Sequence, residues 1–169
     1  HEELGELLGI LDKPRGIKVA GARSYLLRGA GALLEQAIIR MAIDILLERE
    51  YELVTGPVMV NEDALVGTGF FPYGKEDTYH LERDDKYLIG TSEVVLVSLN
   101  RDEILDPEAL PLRYTGLSPC FRREAGSAGK DTRGVYRVHQ FTKVEQVIIC
   151  LDDAEASRAL HDELLSNSE

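Results

Sequence analysis

Two limbs of strand-forming sequence around a glycine-rich, basic centre, Cys120 to Cys150, constrain the fold of this chain more than any other stretch. The second limb, Val138 to Cys150, is rich in Val, Ile, Phe and Thr, and Gly126, Gly129 and Gly134 punctuate the interval between the limbs. This pattern predicts a hairpin with a long, mobile tip. Strand side chains alternate faces, so Arg122 and Glu124 are expected on one face of the first limb, and Phe141, Lys143 and Glu145 on one face of the second. Apolar runs flank the hairpin and imply a buried sheet, where central charges are costly unless paired or bound to a ligand. Lys130, Arg133 and Arg137 among glycines suit a loop that closes over phosphates through amides and cations.

Ahead of the hairpin, His1 to Leu11 carries Leu4, Leu7, Leu8 and Leu11 on one helical face and is expected to close at Asp12-Lys13-Pro14. Arg23 to Arg28 is expected as a short strand. Gly31 to Glu50 is the clearest helix: Leu33, Leu34, Ala37, Ile38, Met41, Ala42, Ile45 and Leu46 form one stripe, and Ile39, Ile43 and Leu47 add a second. A stripe this wide predicts packing on the sheet and on something else, a partner subunit being the natural candidate. A strand at Tyr51 to Val54 runs into Gly56-Pro57. Asn61 is expected to cap a short helix ending near Gly67, and Phe70 to Gly74 reads as a surface loop with an aromatic patch.

Thr78 to Leu81 and Tyr87 to Ile89 bracket a charged turn and predict an antiparallel hairpin, which ends at Gly90-Thr91-Ser92-Glu93. Thr91 suits a cap for the helix Glu93 to Leu99, and at such a turn its hydroxyl and backbone can also serve a small ligand. Asp106-Pro107 opens another short helix, Leu112 to Ser118 feeds the central hairpin, and Asp152 to Leu165 is a last helix with acidic capping at Asp152 and Asp153. Helices interspersed with hairpins predict an α+β fold with a largely antiparallel sheet.

Phe121-Arg122-Arg123-Glu124, the following glycine loop, and Arg137-Val138-His139-Gln140-Phe141 together resemble the second signature motif of class II aminoacyl-tRNA synthetases, in the form found in the seryl-tRNA synthetase family. The resemblance extends to Thr91-Ser92-Glu93, similar to that family's serine-binding tripeptide, and to the helix, strand and proline of residues 31–57, similar to the first signature motif and its dimer interface. It implies a class II synthetase-type antiparallel sheet flanked by helices, over residues 1–169 as a partial catalytic domain. Set against that family, the tRNA-binding coiled coil that precedes the catalytic domain and the third signature motif that follows are expected to be missing, and a start without methionine and a stop inside a helix predict an excised piece.

The resemblance implies serine activation by ATP to seryl-adenylate and transfer to tRNA(Ser). Arg122 would bridge the α-phosphate and the serine carboxylate. Arg122, Arg123, Glu124, Arg137, Val138 and Phe141 would form the ATP site, with Glu124 beside adenine, Phe141 under it and Arg137 near the terminal phosphates. Thr91, Ser92, Glu93, Arg122 and Glu145 would bind L-serine. Magnesium is expected with the ATP phosphates rather than on a protein ligand set, and a homodimer is expected through residues 31–57. Both reactants are anions, so in-line placement and charge neutralisation would lower the barrier, a task suited to the planar fork of arginine. His139 is read as structural. Two other readings stay open: a ligase of the same fold that loads an amino acid onto a carrier protein, which the lack of a cysteine zinc site disfavours, and a non-catalytic dimerisation or ligand-binding module.

Composition limits the partners. With 44% hydrophobic and 29% charged residues, 169 residues can bury a core as one domain. A net charge of −11, from 30 acids against 19 bases, has the wrong sign for broad nucleic-acid binding, so any tRNA contact would be local or made elsewhere. No apolar run is long enough to span a bilayer and no secretion signal opens the chain, which makes the cytoplasm the default location. Cys120 and Cys150 lack Cys-x-x-Cys spacing, which argues against a cysteine zinc site or a disulfide framework, and both are read as buried thiols.

Overall fold

Long apolar and β-branched runs in the second half of the chain build the sheet on which the other elements lie. The computed structural model describes residues 1–125 and 135–169; residues 126–134, with Lys130, Arg133 and the expected mobile tip, lie outside the described residues. In chain order the elements are α1 (Glu2–Leu7), β1 (Leu11–Asp12), α2 (Lys13–Ala20), β2 (Leu26–Leu27), α3 (Ala30–Glu48), β3 (Glu52–Val54), β4 (Met59–Val60), α4 (Glu62–Gly67), β5 (His80–Leu81), β6 (Lys86–Leu88), α5 (Glu93–Ser98), β7 (Leu112–Phe121), β8 (Gln140–Ile149) and α6 (Ala154–Ser168). The mixed α+β architecture is the one expected.

The expected hairpin is β7 and β8, antiparallel from Leu112 opposite Ile149 to Phe121 opposite Gln140. β3 joins the other edge of β7 in parallel, with Leu53 opposite Thr115, so this sheet is not wholly antiparallel. β4, β6 and β5 form a separate antiparallel sheet. Pairing places Gly116, Ser118 and Cys120 opposite Glu145, Lys143 and Phe141, and directly opposed residues share a face. Phe141, Lys143 and Glu145 therefore line up as the alternation predicted. Arg122 and Glu124 do not belong to a strand face: β7 stops at Phe121, and Glu124 takes a left-handed φ of 55°.

Three local readings change. Asp12-Lys13-Pro14 starts a helix rather than closing one. Asp12 is the N-cap of α2, accepting from the Arg15 backbone N–H at 3.0 Å, and proline is tolerated in a first turn because its missing N–H has no helical partner there. Phe71 belongs to the core, 5% exposed, in a cluster with Val60, Leu65, Tyr87, Ile89 and Val94, and meets the Tyr87 ring edge-on at 5.0 Å; its neighbour Tyr73 is the exposed one. Burying a ring of this kind contributes roughly 1.5–3 kcal/mol. Cys120 is buried as expected, whereas Cys150 is only half-buried.

Helix α3 divides its apolar residues differently from the two expected stripes, burying one residue of each and exposing Leu47 of the second as well as much of the first. Ile43 and Leu46 are buried, while Leu33, Leu34, Ile38 and Met41 are 72%, 57%, 53% and 58% exposed. The helix comes close to the chain at Gly31, where a Cβ would stand 2.8 Å from Ile10 Cβ and 2.9 Å from Ile10 O. Helix α6, capped by Asp153 through the Ala156 N–H at 2.7 Å, is pinned to the sheet: Glu163 accepts from Arg113 Nε and Nη2 at 2.9 and 3.0 Å and from the Tyr51 hydroxyl at 2.9 Å. The paired residues Arg113 and Ile148, and Thr115 and Gln146, share this face, and Gln146 donates to the Leu164 carbonyl at 3.4 Å.

Candidate amino-acid and nucleotide site

The turn from β6 into α5 and the middle of β8 meet at a polar cluster. Thr91 is 2% exposed, and its hydroxyl accepts from the Glu93 backbone N–H at 3.2 Å and from Lys143 Nζ at 2.6 Å while donating to Glu145 Oε2. A threonine hydroxyl has one proton and two lone pairs, so these three bonds fill its capacity. Thr91 braces the turn from the position before the N-cap of α5, Ser92, rather than as the cap itself, and its hydroxyl offers a ligand nothing while Lys143 stays in place. Lys143 also forms an ion pair with Glu145 Oε2. From the neighbouring strand, Thr115 Oγ1 donates to the Glu145 carbonyl at 3.0 Å, holding the backbone beneath the carboxylate.

Ser92 sits on the sheet side of the turn. It is 4% exposed, with its side chain against the sheet: a Cβ on Gly116 would lie 2.9 Å from Ser92 Oγ and 3.1 Å from Leu96 Cδ1. That close approach requires glycine at 116. Ser92 occupies the N-cap position of α5 without a side-chain capping bond, and its Oγ has no hydrogen-bond partner among the described residues. Its side chain packs the turn on β7. Glu93, one residue on, is exposed.

Arg122 lies just past the end of β7. Its backbone N–H donates to the His139 carbonyl at 2.9 Å, and His139 Nδ1 stands 3.0 Å from the Arg122 carbonyl, so His139 helps hold the two limbs together. Arg122 Nε donates to the Gly90 carbonyl at 3.1 Å, tying the guanidinium to the residue before Thr91. Its Cζ stands 5.1 Å from the Phe141 ring centroid, within cation–π range. No carboxylate pairs with Arg122 among the described residues, so its charge is available to an anion.

The other expected nucleotide residues divide. Arg123 turns away toward the β5–β6 hairpin, its guanidinium 5.6 Å from the Tyr79 ring and its N–H donating to the Asp77 carbonyl at 2.8 Å. Glu124 forms an ion pair with Arg137, and its carbonyl accepts from Arg23 Nη1 at 3.3 Å. Val138 is buried at 7% exposed. A cavity of about 620 Å³ opens alongside, reaching Phe141, His139, Arg23, Tyr25 and Glu35, but Thr91, Arg122, Lys143 and Glu145 do not line it. Lys143 lies on the face that alternation predicts, two residues from Glu145, a spacing that also allows the two to pair across that face.

Residues 78–166, more than half of the chain, match the family described as tRNA synthetase class II core domain (G, H, P, S and T). The chain is 53% identical over 165 residues to a serine--tRNA ligase from Streptomyces coelicolor, covering 98% of this chain and 38% of that protein. It therefore spans less than half the length of the curated relatives it matches. Among solved structures it is similar to seryl-tRNA synthetase from Pyrococcus horikoshii complexed with ATP, with a TM-score of 0.90 and 44% identity over 97% of this chain and 36% of that one. It is also similar to cytoplasmic serine-tRNA ligase from Naegleria fowleri in complex with AMP, with a TM-score of 0.94 and 34% identity over 99% of this chain and 39% of that one.

Proposed function

The chain belongs to the class II tRNA synthetase core family, and from that premise we propose that it carries the serine- and ATP-binding part of a serine--tRNA ligase. The observation that carries the reading is the convergence of Arg122, which meets Phe141 and has no carboxylate partner among the described residues, with a carboxylate held by Thr91, joined through the single residue Gly90. Arg122 offers a positive fork to a phosphate and a carboxylate together. Glu145 offers an acceptor to the hydroxyl that distinguishes serine from alanine, and Glu93 an exposed carboxylate to the ammonium.

Within this reading, Phe141 and the Glu124–Arg137 pair serve the nucleotide, and Arg123 acts from the side of Tyr79. Val138 and Ser92 contribute by packing rather than through their side-chain chemistry. Magnesium would enter on the phosphates of ATP; among the described residues no group of three His, Cys, Asp or Glu side chains is arranged to hold a metal by itself. The protein's chemical task in adenylate formation is to align the serine carboxylate with the α-phosphorus and to neutralise charge as pyrophosphate departs. tRNA(Ser) would accept the serine in the complete enzyme, and a cytoplasmic place in translation goes with that role.

The apolar stripe Leu33, Leu34, Ile38 and Met41 supports a homodimer, because four such side chains on one helix face are costly to leave in water and suit an isologous contact with a second copy. The deciding experiment is ATP–pyrophosphate exchange in the full-length protein with serine, threonine and alanine in turn. Serine-dependent exchange is the expected result. Exchange with a different amino acid, or with none, would sink the reading.

A further inference from the structure

The serine reading leaves Lys143 idle, although its ammonium holds the pocket's carboxylate. We propose that Lys143 is a positioning residue of the amino-acid site: together with Thr91 it pins Glu145 through Oε2 and so presents Oε1 as the acceptor for the substrate hydroxyl. This inference rests on the serine reading above and deepens it.

Both contacts to the Glu145 side chain, the Thr91 hydroxyl and the Lys143 ammonium, fall on the same oxygen, Oε2, and Oε1 is engaged by neither. A second bond from Lys143 Nζ to Thr91 Oγ1 at 2.6 Å closes a three-membered ring of contacts. Two donors from different elements thus converge on Oε2, while the Glu145 backbone carbonyl accepts from Thr115 Oγ1 at 3.0 Å, and together they restrict where the carboxylate can point. Lys143 and Glu145 side chains are 28% and 21% exposed, so the pair is less screened than an ordinary surface ion pair.

Charge points the same way. With Lys143 beside it, Glu145 is already balanced, and what it offers a ligand is hydrogen-bond acceptance rather than a counter-ion. Acceptance is the property that separates serine from alanine: alanine would leave a positioned, desolvated oxygen without its donor. Loss of the lysine would leave Oε2 held by the Thr91 hydroxyl alone and give the carboxylate more freedom to rotate. Discrimination then falls even though Glu145 itself is intact.

The test compares Lys143→Met, which keeps length and removes charge, with Lys143→Arg, which keeps charge but changes the geometry of the donors. In exchange assays on the full-length protein, Lys143→Met is expected to lower kcat/KM for serine about tenfold, mainly through a higher serine KM, with the ATP KM within about twofold of wild type. The serine-to-alanine ratio should fall, and fall less in Lys143→Arg. A native melt with unchanged serine KM and ratio overturns the proposal, as does a lower serine KM, which would make Lys143 a competitor of the substrate. If Lys143→Met does not fold, Lys143→Arg decides, a wild-type ratio counting against positioning. If the wild type exchanges no amino acid, the serine reading itself fails; the contact is then judged from melts of Lys143→Met, Glu145→Gln and their double variant, where strictly additive losses overturn it.

Discussion

Glu163→Gln isolates how strongly the last helix is fastened to the sheet that carries the site. The carboxylate accepts from Arg113 Nε at 2.9 Å, from Arg113 Nη2 at 3.0 Å and from the Tyr51 hydroxyl at 2.9 Å. A net hydrogen bond to a charged group contributes roughly 1.5–3 kcal/mol. The three share one carboxylate, however, and the Arg113 and Glu163 side chains are 26% and 31% exposed, so simple addition overstates the loss. Glutamine keeps the shape and one acceptor but removes the charge and the bidentate fit, and a loss of about 2 kcal/mol is expected. For a chain of this length that lowers Tm by about 4–8 °C.

The pH dependence has a definite sign. Bonds from Arg113, then from Tyr51, hold the Glu163 carboxyl below its ordinary 4.5 against the opposing effect of burial. A depressed folded-state value means that the stabilisation is fully present above the unfolded value and is lost as pH falls through the folded one. The gap between wild type and Glu163→Gln should therefore be widest near neutrality, narrow below about pH 4.5 and close in stronger acid. Burial, followed by the bond to Glu163, pushes the Tyr51 phenol up to about 12, so its own contribution is complete below its ordinary 10 and is lost as pH rises through that higher value. Chemical and thermal denaturation of both proteins across pH supply the measurement. Equal Tm at neutral pH, or a gap that grows in acid, would refute the reasoning.

Glu145→Gln should cost on the order of 2 kcal/mol, about thirtyfold, in kcat/KM for serine while leaving ATP binding nearly intact, with Glu145→Ala worse. Its pairing with Lys143 could serve the sheet alone; in that case melts would drop while the serine-to-alanine ratio stayed put. Ile38→Glu, on the exposed face of α3, should turn a dimer into a monomer in sedimentation velocity, and a wild-type chain already monomeric at micromolar concentration would count against the interface. Arg122→Lys keeps the charge but loses the fork and the planar contact with Phe141, so exchange is expected to fall by about tenfold or more; activity equal to wild type would remove the bridging role.

Features set by local pattern were legible in the sequence. Alternation placed Phe141, Lys143 and Glu145 on one face, and the observed register puts Cys120, Ser118 and Gly116 opposite them. The long periodic run became α3, Asp153 capped α6, and Thr91 lay at the turn into α5. Each depends on contacts only a few residues apart, or on a period that the backbone imposes wherever the segment lies.

Tertiary packing decided the rest. Periodicity shows that α3 has apolar faces, but what lies across from each face is a property of the assembled sheet, which buries Ile43 and Leu46 and leaves Leu34 and Ile38 outside. Phe71 reads as part of a surface loop because nothing local reveals the packing against Tyr87, Val60 and Leu65 that buries it. Ser92 reads as a ligand-binding neighbour of Thr91 until the sheet places Gly116 against it. Two of the three bonds that fill the Thr91 hydroxyl come from Lys143 and Glu145, more than fifty residues away. Residue types and local periods determine which groups are available; only long-range closure of the chain determines which of them are already spent on one another.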